Sequence, residues 1–68
     1  MKINNIYRDK FVRVRNKFYY PLARGLYLAF DEEGYYIGIE AFYNPSVKIE
    51  NKAAELLNKL IYLGYIDP

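Results

Sequence analysis

Residues 26–42 read LYLAFDEEGYYIGIEAF, and the reading of this stretch decides the rest. Two apolar runs rich in aromatics, Leu26 to Phe30 and Tyr35 to Phe42, flank Asp31-Glu32-Glu33-Gly34. An Asp that opens a four-residue turn and a Gly that closes it are the chemistry of a type I turn followed by a left-handed residue. The stretch therefore reads as a β-hairpin. With Phe30 set opposite Tyr35, strand alternation puts Leu26, Leu28, Phe30, Tyr35, Ile37, Ile39 and Ala41 on one face. Tyr27, Ala29, Tyr36, Gly38, Glu40 and Phe42 fall on the other. The first set is aliphatic and is the expected core face.

Upstream, Phe11 to Arg15 alternates apolar and basic residues with period two, a strand signature. Asn16-Lys17 supplies a two-residue turn, since Asn tolerates positive φ. Phe18 to Tyr20 is the expected return strand, ended by Pro21, which cannot donate to a sheet ladder. In this register Arg15 faces Phe18 and Arg13 faces Tyr20. Val12, Val14 and Tyr19 are expected to join the core.

Downstream of Asn44-Pro45-Ser46, the residues Ala53, Leu56, Leu57, Leu60 and Ile61 form one stripe of a helical wheel. Lys52, Glu55, Lys59 and Tyr62 form the opposite one. Glu50 would fall inside the apolar stripe, so the regular helix is expected from about Asn51, a good N-cap, with residues 46–50 an irregular turn or short strand. Gly64 is the expected left-handed stop, with Tyr65 folding back on Leu60. The order hairpin, hairpin, helix predicts a small two-layer α+β domain spanning 1–68. In it an antiparallel sheet of two β-hairpins, three to four strands, is covered by one C-terminal helix.

Composition narrows the chemistry. The 68 residues include no Cys and no His, so no disulfide, thiolate or imidazole site is available. Thr is also absent, and Ser46 is the single Ser. Beside a helix start, Ser46 reads as a cap before it reads as a nucleophile. Asp31, Glu32 and Glu33 are adjacent carboxylates, but side chains diverge in a tight turn, and a solvated turn is the expected role. No catalytic residue, cofactor or metal site is expected, and the chain is read as no enzyme. No apolar run approaches the ~20 residues of a membrane span. Residues 1–10 lack an apolar core of signal-peptide length, so a cytoplasmic location is expected, that of the host cell if the source is viral.

Net charge is +2, but it is unevenly placed. Residues 1–24 carry seven basic side chains against Asp9, a net +6, and residues 25–68 carry three against seven acidic ones, a net −4. Tyr, Ile, Lys and Asn make up 28 of the 68 residues, all with codons rich in A and T. That usage fits a virus or mobile element of a low-GC host, and equally an ordinary gene of such a host.

Gly25, Tyr27, Phe30 and Asp31 are spaced in a way similar to the Sm-type RNA-binding pattern. Tyr35 stands where those proteins place Asn, and the C-terminal part reads as helix where they continue in strands. No residue's role is therefore carried over.

The candidate contact residues follow from the two hairpins joined in one sheet: Arg13, Arg15, Phe18, Tyr20, Tyr27 and Tyr36, expected together on the face away from the helix. Arg and Tyr bring large area with a polar end, the mix enriched at interaction hot spots. The expected function is a non-enzymatic protein-binding module. It would be a small viral or mobile-element accessory or inhibitor protein of the anti-CRISPR counter-defence type. Its partner would be a larger host protein such as a nucleic-acid-processing complex. The alternative is a nucleic-acid binder in which the basic hairpin contacts phosphates and the tyrosines stack. A homodimer through the same face is a third expectation.

Overall fold

The computed structural model describes residues 1–41 and 43–68; the expectation for Phe42 lies outside them. The fold is α+β. Strands β1 (Lys2–Ile3), β2 (Val12–Val14), β3 (Lys17–Ala23), β4 (Leu26–Phe30), β5 (Tyr36–Ala41) and β6 (Ile66–Asp67) accompany one α-helix, α1 (Val47–Tyr62). A short 3-10 helix, Asn5–Lys10, joins β1 to β2. β2, β3, β4 and β5 form an antiparallel sheet in sequence order, and β1 pairs with β6 in a two-stranded ladder.

The expected second hairpin is present, and its turn has the expected chemistry. Asp31 Oδ1 accepts the backbone N–H groups of Glu33 and Tyr35, at 3.0 and 2.9 Å, and Gly34 N–H donates to the Asp31 carbonyl. Its register differs from the expected one. Phe30 lies opposite Tyr36, not Tyr35, and a bulge falls between this pair and Ala29–Gly38. Ile37 is the extra residue. Gly38 takes φ 124°, a conformation that L side chains rarely adopt. Tyr35 and Ile37, expected in the core, are therefore 50% and 52% exposed. Tyr36 instead turns inward, its ring centroid 5.4 Å from that of Phe30. The bulge lets a large ring cover Phe30.

The face assignment of the first hairpin is reversed. The turn is Arg15-Asn16, with Arg15 at φ 56°, so Arg13 pairs with Phe18 and Val12 with Tyr19. The neighbouring strand gives the reason. Phe18 pairs with Phe30 and Tyr20 with Leu28 across β3–β4, and directly opposed residues share a face. Once Leu28 and Phe30 are buried, Phe18, Tyr20 and Leu22 go inward with them. Val12, Val14 and Tyr19 are left outside. Phe18 and Leu22 also offer more apolar area to bury than the two valines.

The core is Ile3, Phe11, Phe18, Leu22, Leu26, Leu28, Phe30, Ala53, Leu57, Leu60 and Ile66. Phe30 is fully buried and touches Phe11 edge-on at 5.3 Å. The helix begins at Val47 and not near Asn51. Ser46 is its N-cap, its hydroxyl oxygen accepting from the Ile49 N–H at 3.3 Å. Glu50, expected to break the apolar stripe, sits exposed in the first turn, where a carboxylate suits the positive end of the helix dipole. The C-terminus ends as expected. Gly64 has φ 79°, and the N–H groups of Gly64 and Tyr65 donate to the carbonyls of Ile61 and Leu60, a Schellman closure.

The pairing of β1 with β6 and the 3-10 helix carry no periodic signal and were not expected. Asn4 ties them together. Its amide donates to the Gly64 carbonyl, its N–H to the Tyr65 carbonyl, and its side-chain oxygen caps the 3-10 helix at Ile6. β1 also reaches the large sheet, with Ile3 N–H donating to Gly34 and Tyr36 N–H to Met1.

Two substitutions test this packing in chemical denaturation. Leu57→Ala should cost about 2–5 kcal/mol, as buried leucine truncations do. Ser46→Ala should cost about 1 kcal/mol while Asn51→Ala, mid-helix and exposed, should cost almost nothing; the reverse order would return the helix start to Asn51.

Candidate contact surface

The six expected contact residues do not share a surface. Phe18 is only 4% exposed and belongs to the core. Tyr20 and Tyr36 pack against the core from the same side, Tyr20 edge-on to Phe11 at 5.4 Å. Arg13 lies exposed at the sheet margin, its guanidinium 5.6 Å from the Phe18 ring centroid. Arg15 sits in the hairpin turn. Of the six, Tyr27 alone is on the outer face, paired between Pro21 and Glu40.

Val12, Val14 and Tyr19, assigned to the core from sequence, lie instead on the outer face beside Tyr27. Val12 and Val14 are 59% and 52% exposed, and Tyr27 is 40% exposed. With Tyr19, Gly25, Glu40 and Ala41 they line an open cleft of about 560 Å³. Tyr19 and Tyr27 meet edge to face, centroids 6.2 Å apart. Ala29 and Gly38 pair beside Tyr19 on this face, and a Cβ added at Gly38 would meet nothing within 4 Å. Alternation along β3 holds the signal that would have found this face. Phe18, Tyr20 and Leu22 outweigh Lys17, Tyr19 and Pro21 as a buried set.

Charge frames the cleft. Arg15 and Lys17 lie at the hairpin end, and Glu40 lies on β5. Hydrogen bonding to Glu40, with a smaller effect of desolvation and of the carboxylate's negative charge, raises the Tyr19 phenol above its ordinary pKa of 10.0. Burial alone raises Tyr36.

A second feature lies on the helix side of β2. The Arg8 and Arg13 guanidiniums are 5.2 and 5.6 Å from the same Phe18 ring centroid. Their Nε–H groups donate to the Asn5 side-chain oxygen and the Arg15 carbonyl, both neutral acceptors. This also blunts the β2 edge. The strand has three residues, Arg15's carbonyl is taken by Arg13, and Phe11 N–H donates to the Arg8 carbonyl. Short, charged edges of this kind resist strand addition.

Among the described residues no helix is long and apolar enough to cross a membrane, and no group of three or more potential ligands could hold a metal ion. No protein-family model matches the chain, and no curated protein or solved structure matches it.

The tyrosines give a pH test. A phenol whose folded pKa is raised adds stability below its unfolded pKa of about 10 and loses it as pH climbs through the higher folded value. In an ultraviolet titration, Glu40→Ala should bring the Tyr19 transition down toward 10 and leave the Tyr36 transition in place. An unmoved Tyr19 would separate the phenol from the carboxylate.

Proposed function

We propose that this chain is a non-enzymatic binding module that docks a protein on the outer face of its sheet. One observation carries the reading: Val12, Val14 and Tyr27 lie exposed, with the half-buried Tyr19 among them, on a face that no other element of the described chain covers. Contiguous exposed apolar surface of this kind marks interaction sites. The arrangement also has the anatomy of an interface, with apolar and aromatic residues at the centre and Arg15, Lys17 and Glu40 at the rim. Cys, His and Thr are absent, and the one Ser is engaged as a helix cap, which leaves few groups for nucleophilic or acid–base chemistry.

The setting we propose is a small accessory or inhibitor protein of a virus or mobile element, of the counter-defence kind, acting on a larger host protein. The AT-rich codon usage inferred from composition supports this setting.

The paired guanidiniums of Arg8 and Arg13 support a second reading. Their Nε–H bonds fix them in place, and the remaining N–H groups are directed to no other residue among those described. Two oriented guanidiniums on one ring suit the phosphates of a nucleic acid. On that reading, affinity for an oligonucleotide falls steeply with salt and is lost in Arg8→Gln with Arg13→Gln.

A photocrosslinking residue at position 14 should yield a discrete adduct in host lysate, and one at position 52 should not. With that partner purified, Val14→Asp with Tyr27→Ala should weaken binding by about 30-fold or more, the equivalent of one hot spot of ~2 kcal/mol. Lys52→Ala with Lys59→Ala, on the outer side of the helix, should change little. Loss in the helix pair alone would move the working surface to α1.

A further inference from the structure

We infer that the outer face is complementary to itself and pairs two copies of this chain face to face. The inference rests on the reading of that face as a protein-contact surface and names one occupant for it.

The strand register sets two opposite charges symmetrically on this face. Tyr19 and Gly38 both pair with Ala29, one on each side of β4. Lys17 lies two residues before Tyr19, and Glu40 lies two residues after Gly38. β3 and β5 run in the same direction, so these steps point to opposite ends of the sheet. Lys17 and Glu40 are therefore placed symmetrically about Ala29, on the same face. With ordinary strand spacings they stand roughly 10 Å apart across the strands and 14 Å along them.

A second copy turned over about a two-fold axis in the interface plane, through Ala29 and perpendicular to that diagonal, meets this face with charges matched. Lys17 falls opposite the partner's Glu40, and Glu40 opposite the partner's Lys17. The same operation lays Val12 and Val14 over the partner's Tyr27. The strands of the two sheets then cross at roughly 70°, close to the orthogonal class of sheet packing. Sheets packed in this way sit ~10 Å apart, a gap that a Lys and a Glu side chain span together. At the centre, Gly38 leaves room for a side chain of the partner, since nothing lies within 4 Å of a Cβ placed there. An interface of this kind is isologous, with the same patch on both copies.

Its size sets its strength. Four strands and about five residues of length give a face of roughly 320 Å² in plane, below the ~800 Å² per partner of a standard stable interface. The pair is a weak dimer with a dissociation constant in the micromolar range or above. Self-pairing hides the contact face when no other partner is present and yields it to a tighter one.

Sedimentation equilibrium of the full chain tests this. The mass should climb from 8.1 kDa toward twice that as concentration rises to the millimolar range. Lys17→Glu and Glu40→Lys should each raise the dissociation constant at least tenfold, and the two together should restore it, with far-ultraviolet circular dichroism unchanged throughout. Lys17→Glu is the cleaner single variant, because Glu40 also engages Tyr19. A monomer at all concentrations, single reversals without effect, or a double reversal that fails to rescue would each overturn the inference. The reading of the face as a docking surface fails separately. A monomer that loses its protein partner in Val14→Asp with Tyr27→Ala keeps that reading and sinks the dimer. A dimer that obeys the charge swap while the same variant holds its protein partner keeps the dimer and sinks that reading.

Discussion

The burial of Phe30 is the constraint on which the rest of this structure depends. Its side chain is fully enclosed, between Phe18 across β3–β4 and Tyr36 across β4–β5, with Phe11 edge-on above it. Full burial of a Phe side chain stabilises by ~1.5–3 kcal/mol from area alone. A small domain without disulfides has few other sources of that size. Because side chains alternate with period two, fixing Phe30 inside also fixes the facing of its cross-strand neighbours. Phe18, Tyr20 and Leu22 turn inward, and Val12, Val14 and Tyr19 turn outward. The bulge at Ile37 follows from the same constraint, since it is what lets Tyr36 reach the Phe30 ring.

The outer face is thus a by-product of core packing in position and a candidate working surface in composition. Two valines and two tyrosines are left on the outer face because better core formers occupy the inner positions of β3 and β4. Arg13 stays at the margin, stacked on Phe18, where its charge blunts the edge strand and discourages pairing there. The unequal charge along the sequence takes a spatial form as well, with Arg15 and Lys17 at one end of the face and Glu40 toward the other.

Much of this was legible in the sequence. The type I turn at Asp31 to Gly34, the apolar stripe of α1 and the glycine stop at Gly64 are local, and local chemistry identified them. What failed was relational. Each hairpin's facing follows from its own alternation, and no local signal sets the β3–β4 register that makes the two faces agree. Joining them through Phe18–Phe30 would have reversed the assignment of Val12 and Val14. The bulge at Gly38 was hidden because a one-residue insertion leaves the apolar pattern nearly unchanged. Ser46 reads as a cap, but Glu50 falls inside the apolar stripe and argues for a later helix start; in the first turn a carboxylate is favourable. β1 and β6 are two residues each, too short for alternation to show. Of the six expected contact residues, Tyr27 alone lies on the outer face.

Nuclear Overhauser contacts of the Val12 and Val14 methyl groups test the central claim most directly, because they report which face of the sheet points away from the helix. The structure requires cross-peaks from these methyls to the Tyr19 and Tyr27 rings, and none to the methyls of Leu57 or Leu60. Phe18 should show the opposite pattern, with contacts to Phe30 and the buried cluster. Valine methyls in contact with the helix leucines, and a Phe18 ring without core contacts, would contradict the account at its root.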